Sequence, residues 1–202
     1  IRRIFTTGWQ SQWQNHLESQ LLAVSPKARL TKVDYGKNPK DYQAAPIRIT
    51  FHYEIPDYAL PCQEGFLIKP FATNNLYNQV KSYLRIDTSL EERKYGFKDA
   101  CSRLVELDET IQLPTGYKLA GNGKEDSVQS SAAAFDIEER SRSIDGPAAS
   151  WEGDVHLKGN QLRLTQRLAL KKRVYEADDW ENFRSAVNAH KDFGNYLFIH
   201  KK

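Results

Sequence analysis

The stretch that most constrains this chain is Ala149 to Tyr175, ASWEGDVHLKGNQLRLTQRLALKKRVY, which reads as one long β-hairpin. Gly159-Asn160 makes the turn, glycine first, as a two-residue type II′ loop requires. The register then follows: Leu157 faces Leu162, Val155 faces Leu164, and Trp151 faces Leu168. Gly153, the one gap in the apolar row of the first strand, falls opposite Gln166, the one gap in the second. The other face pairs His156 with Arg163, Asp154 with Thr165, and Glu152 with Arg167. A slip of one residue would turn every charge of that face into the core, so the pattern specifies a single pairing. This is an architectural signal and names no chemistry.

Around the hairpin the chain keeps to short alternating segments. Arg48, Thr50, His52 and Glu54 interleave with Ile47, Ile49, Phe51, Tyr53 and Ile55, a half-buried strand. Ala28 to Asp34, Tyr58 to Leu60 (broken by Pro61), Gly65 to Lys69, Tyr117 to Leu119 and Tyr196 to His200 read as further strands. From Cys101 to Leu113, Val105, Leu107, Ile111 and Leu113 point inward while Glu106, Asp108, Thr110 and Gln112 point outward. Ser127 to Glu139 alternates weakly, and polar loops run from Ala120 to Asp126 and from Arg140 to Pro147.

Two amphipathic helices accompany the strands. Phe5, Trp9, Trp13, Leu17 and Leu21 recur every four residues, predicting a helix from Phe5 to Val24 capped by Thr6 or Thr7. A second runs from about Asp178 to His190, burying Trp180, Phe183 and Val187 with Ala186 at the margin. The segment Phe71 to Phe97 is irregular, with a short helix predicted over Leu76 to Leu84. The fold class expected is mainly β, an antiparallel β-sandwich with two docked helices, one near the N-terminus and one before the last strand. The organisation is a junction segment over 1–25 and a sandwich domain over 26–202, with a sub-boundary allowed within 71–100.

Composition excludes more than it nominates. Lys and Arg total 29 against 26 acidic residues, spread without a strong block. Lys171-Lys172-Arg173 and Lys201-Lys202 flank strands and read as solvated edge guards, so no nucleic-acid footprint is expected. No run approaches the roughly 20 apolar residues of a membrane span. The chain opens on Ile1-Arg2-Arg3, lacks a signal peptide and contains 0 Met, which reads as a mature or excised fragment.

Candidate chemistry is sparse. His16, His52, His156, His190 and His200 are single, each on the polar side or at the end of its element, with no metal-ligand spacing. No nucleophile elbow, P-loop or dinucleotide fingerprint occurs, so no catalytic, metal or cofactor-binding residue is nominated and no cofactor is expected. Cys62 and Cys101 read either as one disulfide or as two free buried thiols, and a pairing of either with His52 stays open. Glu91-Glu92, Glu138-Glu139 and Asp178-Asp179 read as neighbours pointing apart or into solvent. Exposed tryptophans on the first helix would suit a sugar or a partner, although such a stripe more commonly docks on a sheet.

Three segments carry a resemblance: Leu113 to Leu119 (LPTGYKL), preceded by Glu92-Arg93-Lys94-Tyr95; Trp151 through LRLTQRLALKKRVY; and the tail YEADDWENFRSAVNAHKDFGNYLFIHKK. In that order they resemble the C-terminal region of three-part bacterial transglutaminase-like proteins, in which a β domain of unknown function follows a papain-like core. The resemblance covers most of the chain, best from about Glu92 onward. It implies that the Cys-His-Asp triad lies upstream and that this chain is not itself an enzyme. It also implies that Ile1 follows that core, which is then the partner within the same polypeptide. An exported parent would make the location periplasmic or secreted and a Cys62–Cys101 bridge permissible. The functional expectation is an accessory domain that stabilises the core or presents substrate. The alternative is a self-standing module for a protein, peptide or glycan ligand.

Overall fold

The hairpin forms in the register its residues dictate. In this computed structural model, which describes residues 5, 7–37, 40, 48–71, 87–99, 102–119 and 141–201, β9 (Ala149–Lys158) and β10 (Gln161–Leu170) pair antiparallel. Trp151 lies opposite Leu168, Val155 opposite Leu164, and Gly153 opposite Gln166. Gly159 carries φ +64° at the turn, and Asp57 is the one described non-glycine residue with positive φ. Asn160 therefore keeps negative φ, which selects the II′ form over I′.

Two strands extend the hairpin into a four-stranded sheet. β6 (Arg103–Gln112) pairs with the outer side of β10, setting Val105 opposite Leu168 and Ile111 opposite Leu162. β8 (Arg142–Ile144) pairs with β9, giving the order β6-β10-β9-β8. The polar loop expected there is therefore partly a strand, too short to announce itself by alternation. One face of the sheet is apolar. The opposite face is exposed and carries Glu106, Asp108, Arg163, Arg167, Glu152, Asp154 and His156.

The apolar face is covered by α2 (Trp180–Phe193), which buries Trp180, Phe183, Ala186, Val187, Ala189, His190 and Phe193. A short 3-10 turn, Ala177–Asp179, leads into it, and the helix runs a turn beyond its expected end, to Phe193, with Gly194 as its C-cap. A second four-stranded sheet of β3 (Leu60–Cys62), β4 (Gly65–Ile68), β12 (Leu197–Lys201) and β7 (Tyr117–Leu119) contributes Leu197 and Ile199 to the same core. Each buried Leu, Val or Phe there contributes about 1.5–3 kcal/mol by leaving water. Pro61 does not end the third strand as expected; it sits within β3, an edge strand where a missing N–H is tolerated. β5 (Phe97–Lys98) and β11 (Val174–Tyr175) form a further two-stranded pair that no sequence period could announce.

The chain divides into two compact units, residues 1–58 and 59–202. The sequence reading places its junction at 25/26 and its sub-boundary within 71–100. The first unit holds α1 (Ser11–Leu22) against β1 (Arg29–Asp34), which pairs antiparallel with β2 (Thr50–Glu54). Phe5 and Thr7 are helical as expected, but the run is interrupted and α1 proper begins at Ser11, with Gln10 at the cap position and no side-chain cap bond from it. Gly8, the poor helix former in this run, lies at the interruption. Trp9 consequently stands 77% exposed, while Phe5 and Trp13 remain buried and meet edge to face at 5.6 Å.

The fold is mainly β, built of antiparallel sheets with two docked helices. The helix expected over 76–84, the strand over 127–139, the loop over 120–126, Ile47, Glu138, Glu139 and Cys101 lie outside the described residues.

Candidate functional site

Among the described residues, the sequence-nominated cysteine and histidines are spread over several elements. Cys62 is an exposed free thiol, as all three residues of the edge strand β3 are exposed. The buried-thiol reading is thus corrected for this residue. His52 is exposed on β2 of the first unit, whereas Cys62 belongs to the second. His156 lies on the charged sheet face. His16 is half-buried beside Phe5, and burial lowers its pKa. Among the described residues, no group of three or more His, Cys, Asp or Glu side chains is placed to hold a metal ion.

His190 departs most from expectation. The sequence puts it at the polar end of its helix; the structure leaves it 2% exposed in the core. Its Nδ1 lies 3.0 Å from Gln166 Oε1, and the Trp151 indole Nε1–H donates to that same oxygen at 3.0 Å. The helix runs a turn past His190 and ends in a buried Phe193, so this turn faces the sheet instead of solvent. The gap at Gln166 was visible in the strand pattern. Its partner on α2 was not, because the contact spans 24 residues.

A second polar assembly surrounds β5 and β11. Arg103 pairs with Asp99 at 2.7 Å with both side chains buried. The Tyr175 ring stacks on Phe97 at 4.7 Å, and burial raises its phenol pKa. Asp179 accepts from Lys172 Nζ at 2.7 and 2.9 Å and from the Glu176 N–H at 2.9 Å. The ammonium holds the Asp179 carboxyl below the usual carboxylate range. Asp178 does face solvent, but Asp179 turns inward, correcting the solvated reading for half of that pair.

The basic cluster is likewise engaged in packing. Lys171 donates to Asp145 at 2.7 Å and to the Gly146 carbonyl at 2.8 Å, closing the loop after β8. Lys172 holds the start of the helix through Asp179. Along α2, Trp180 donates to the Leu90 carbonyl at 3.1 Å and Arg184 to the Thr88 carbonyl at 3.1 Å. Lys191 donates to Thr88 Oγ1 at 2.6 Å. These three donors share one helix stripe and tie residues 88–90 to it. Arg93 then lies against both Trp180 and Phe97, 4.5 and 4.8 Å from their ring centres, where those rings meet edge to face.

The assemblies in the second unit therefore hold loops and a helix on a sheet. Three of the four tryptophans, Trp13, Trp151 and Trp180, are buried, and Trp9 alone is exposed. No described helix is long and apolar enough to cross a membrane.

A scan against protein-family models and a search of curated proteins both find no match. Among solved structures, one described as a "putative protease" from Parabacteroides distasonis is similar over 57% of this chain, at 16% identity and a TM-score of 0.42. The likeness spans 20% of that protein's chain, and at that score it carries no inference about this one.

Proposed function

We propose that this chain is a non-catalytic accessory domain of a bacterial transglutaminase-like protein, exported to the periplasm or beyond, which braces the papain-like core or presents substrate to it. What supports the reading is the coincidence of the resemblance with one physical core. In the main apolar cluster of the second unit all residues but Ala148 and Ala149 fall within the three resembling segments, while Phe71 and Leu107, buried as well, lie outside them. β7 from the first segment pairs with β12 from the last, and the hairpin of the middle segment seats α2. The three segments thus pack into one apolar core.

The test begins with the native gene product, whose sequence should carry a Cys-His-Asp core. NMR titration of this chain with that separately produced core should shift a contiguous set of resonances or alter the core's turnover. A titration that moves nothing, with turnover unchanged, overturns the proposal. A self-standing glycan or peptide module would need a row of exposed aromatics, and burial of Trp13, Trp151 and Trp180 weighs against it.

A further inference from the structure

We infer that Trp151, Gln166 and His190 form a directional polar clamp that keeps hydrogen on His190 Nδ1 and selects one seating of α2 on the sheet. The argument starts from the indole. Trp151 Nε1 can only donate, so its 3.0 Å contact must be made to the oxygen of the Gln166 amide. That fixes which way round the amide lies. The same oxygen sits 3.0 Å from His190 Nδ1, and since an amide oxygen only accepts, Nδ1 carries the hydrogen. This holds whether the ring is neutral or charged, and it opposes the Nε2–H form that a free neutral imidazole side chain favours in water.

The clamp joins three elements, β9, β10 and α2, amid the buried apolar residues of the second unit. Leucine, alanine and phenylalanine contacts are non-directional, so an apolar helix face can seat on a sheet in more than one way. Only one seating brings His190 to the Gln166 oxygen. The clamp is incomplete: Gln166 Nε2 is buried and has no hydrogen-bond partner among the described residues. A buried donor left unmade lowers stability, and an apolar residue here would strand two more, the Trp151 Nε1–H and the His190 ring N–H. What such a residue would also lose is direction, as a single buried polar group sets register in helical assemblies.

The experiment is nitrogen-detected imidazole NMR on the full chain, together with Gln166→Leu and Gln166→Glu. The expected wild-type result is a His190 ring with protonated Nδ1. Gln166→Glu, which keeps an acceptor oxygen, should retain it. Gln166→Leu leaves the buried Trp151 Nε1–H and the His190 ring without their acceptor, so it should melt below wild type, lose the Nδ1–H form, and give split or broadened α2 amide resonances. A wild-type ring with bare Nδ1 overturns the inference, and that reading stands even if the leucine variant fails to fold. Persistence of Nδ1–H with one undisturbed set of α2 resonances in Gln166→Leu also overturns it.

Discussion

The two units solve the same problem with different amounts of material. In the first, α1 lies on a two-stranded pair, and the described buried apolar residues are Phe5, Trp13, Leu17, Leu21 and Ala28. Its strands bury no residue fully; their inward side chains are only half-covered. In the second, two ten-residue strands form the centre of a four-stranded sheet, and Leu162, Leu164, Leu168 and Phe183 are all 0% exposed. A two-stranded pair is marginal alone and leans on its helix, whereas a four-stranded sheet with a docked helix closes its own core. An aromatic stripe is therefore enough to place a helix, but not to close a core around it.

The sharpest way to break this contrast is to remove one large side chain from each core. Phe183→Ala should destabilise the second unit by about 3–5 kcal/mol, because its surroundings are packed on every side. Trp13→Ala should lower stability less, toward the lower end of that range at about 3 kcal/mol, because a half-covered sheet can collapse toward the gap. Denaturant unfolding monitored by hydrogen exchange in each unit reads both, and equal effects would erase the distinction.

A smaller effect is expected at Asn182, whose Oδ1 accepts from the buried N–H groups of Ala148 and Ala149 at 3.1 and 2.9 Å. Asn182→Ala strands both donors and should lower stability by about 2 kcal/mol. Denaturant midpoints against wild type measure it, and a neutral result would mean that β9 does not need the helix to satisfy its first residues.

Asp179 gives a pH signature confined to the second unit. Its carboxyl is held low in the folded state by Lys172, so its contribution is fully present above the unfolded value, about 3.9, and is lost as pH falls through the folded value. Unfolding free energy measured across that acid range should fall less steeply for Asp179→Asn than for wild type. Parallel slopes would remove this carboxylate as a source of acid sensitivity.

The smallest effect belongs to the exposed sheet face. Arg163 pairs with Asp108 at 3.0 and 2.6 Å, but both side chains are more than half exposed. Arg163→Ala should change stability by about 0–1 kcal/mol, and salt should shrink even that. A larger change in a salt series would show that this face is not simply solvated.

How far the sequence carried depended on the range of the interaction. Cross-strand pairing in β9 and β10 was legible because it is local: a turn at Gly159-Asn160 and a period of two leave one register that hides the oil. The inward residues of β6 and the first face of α2 were legible by the same periodicity. Gln166 showed only as a flaw in an apolar row, and its pairing with Gly153 was readable while its role was not. β5, β8 and β11 are two or three residues long, too short for a period to appear.

What the sequence determined by itself was which side chains had to leave water and in what alternation, since that depends on neighbours two to four residues away. Only the tertiary structure decided that His190 is interior, that Trp9 is not, and that Arg93 and Asp179 find partners. Each of those outcomes depends on which distant surface arrives to cover a side chain or to satisfy its polar atom. No local period carries that information.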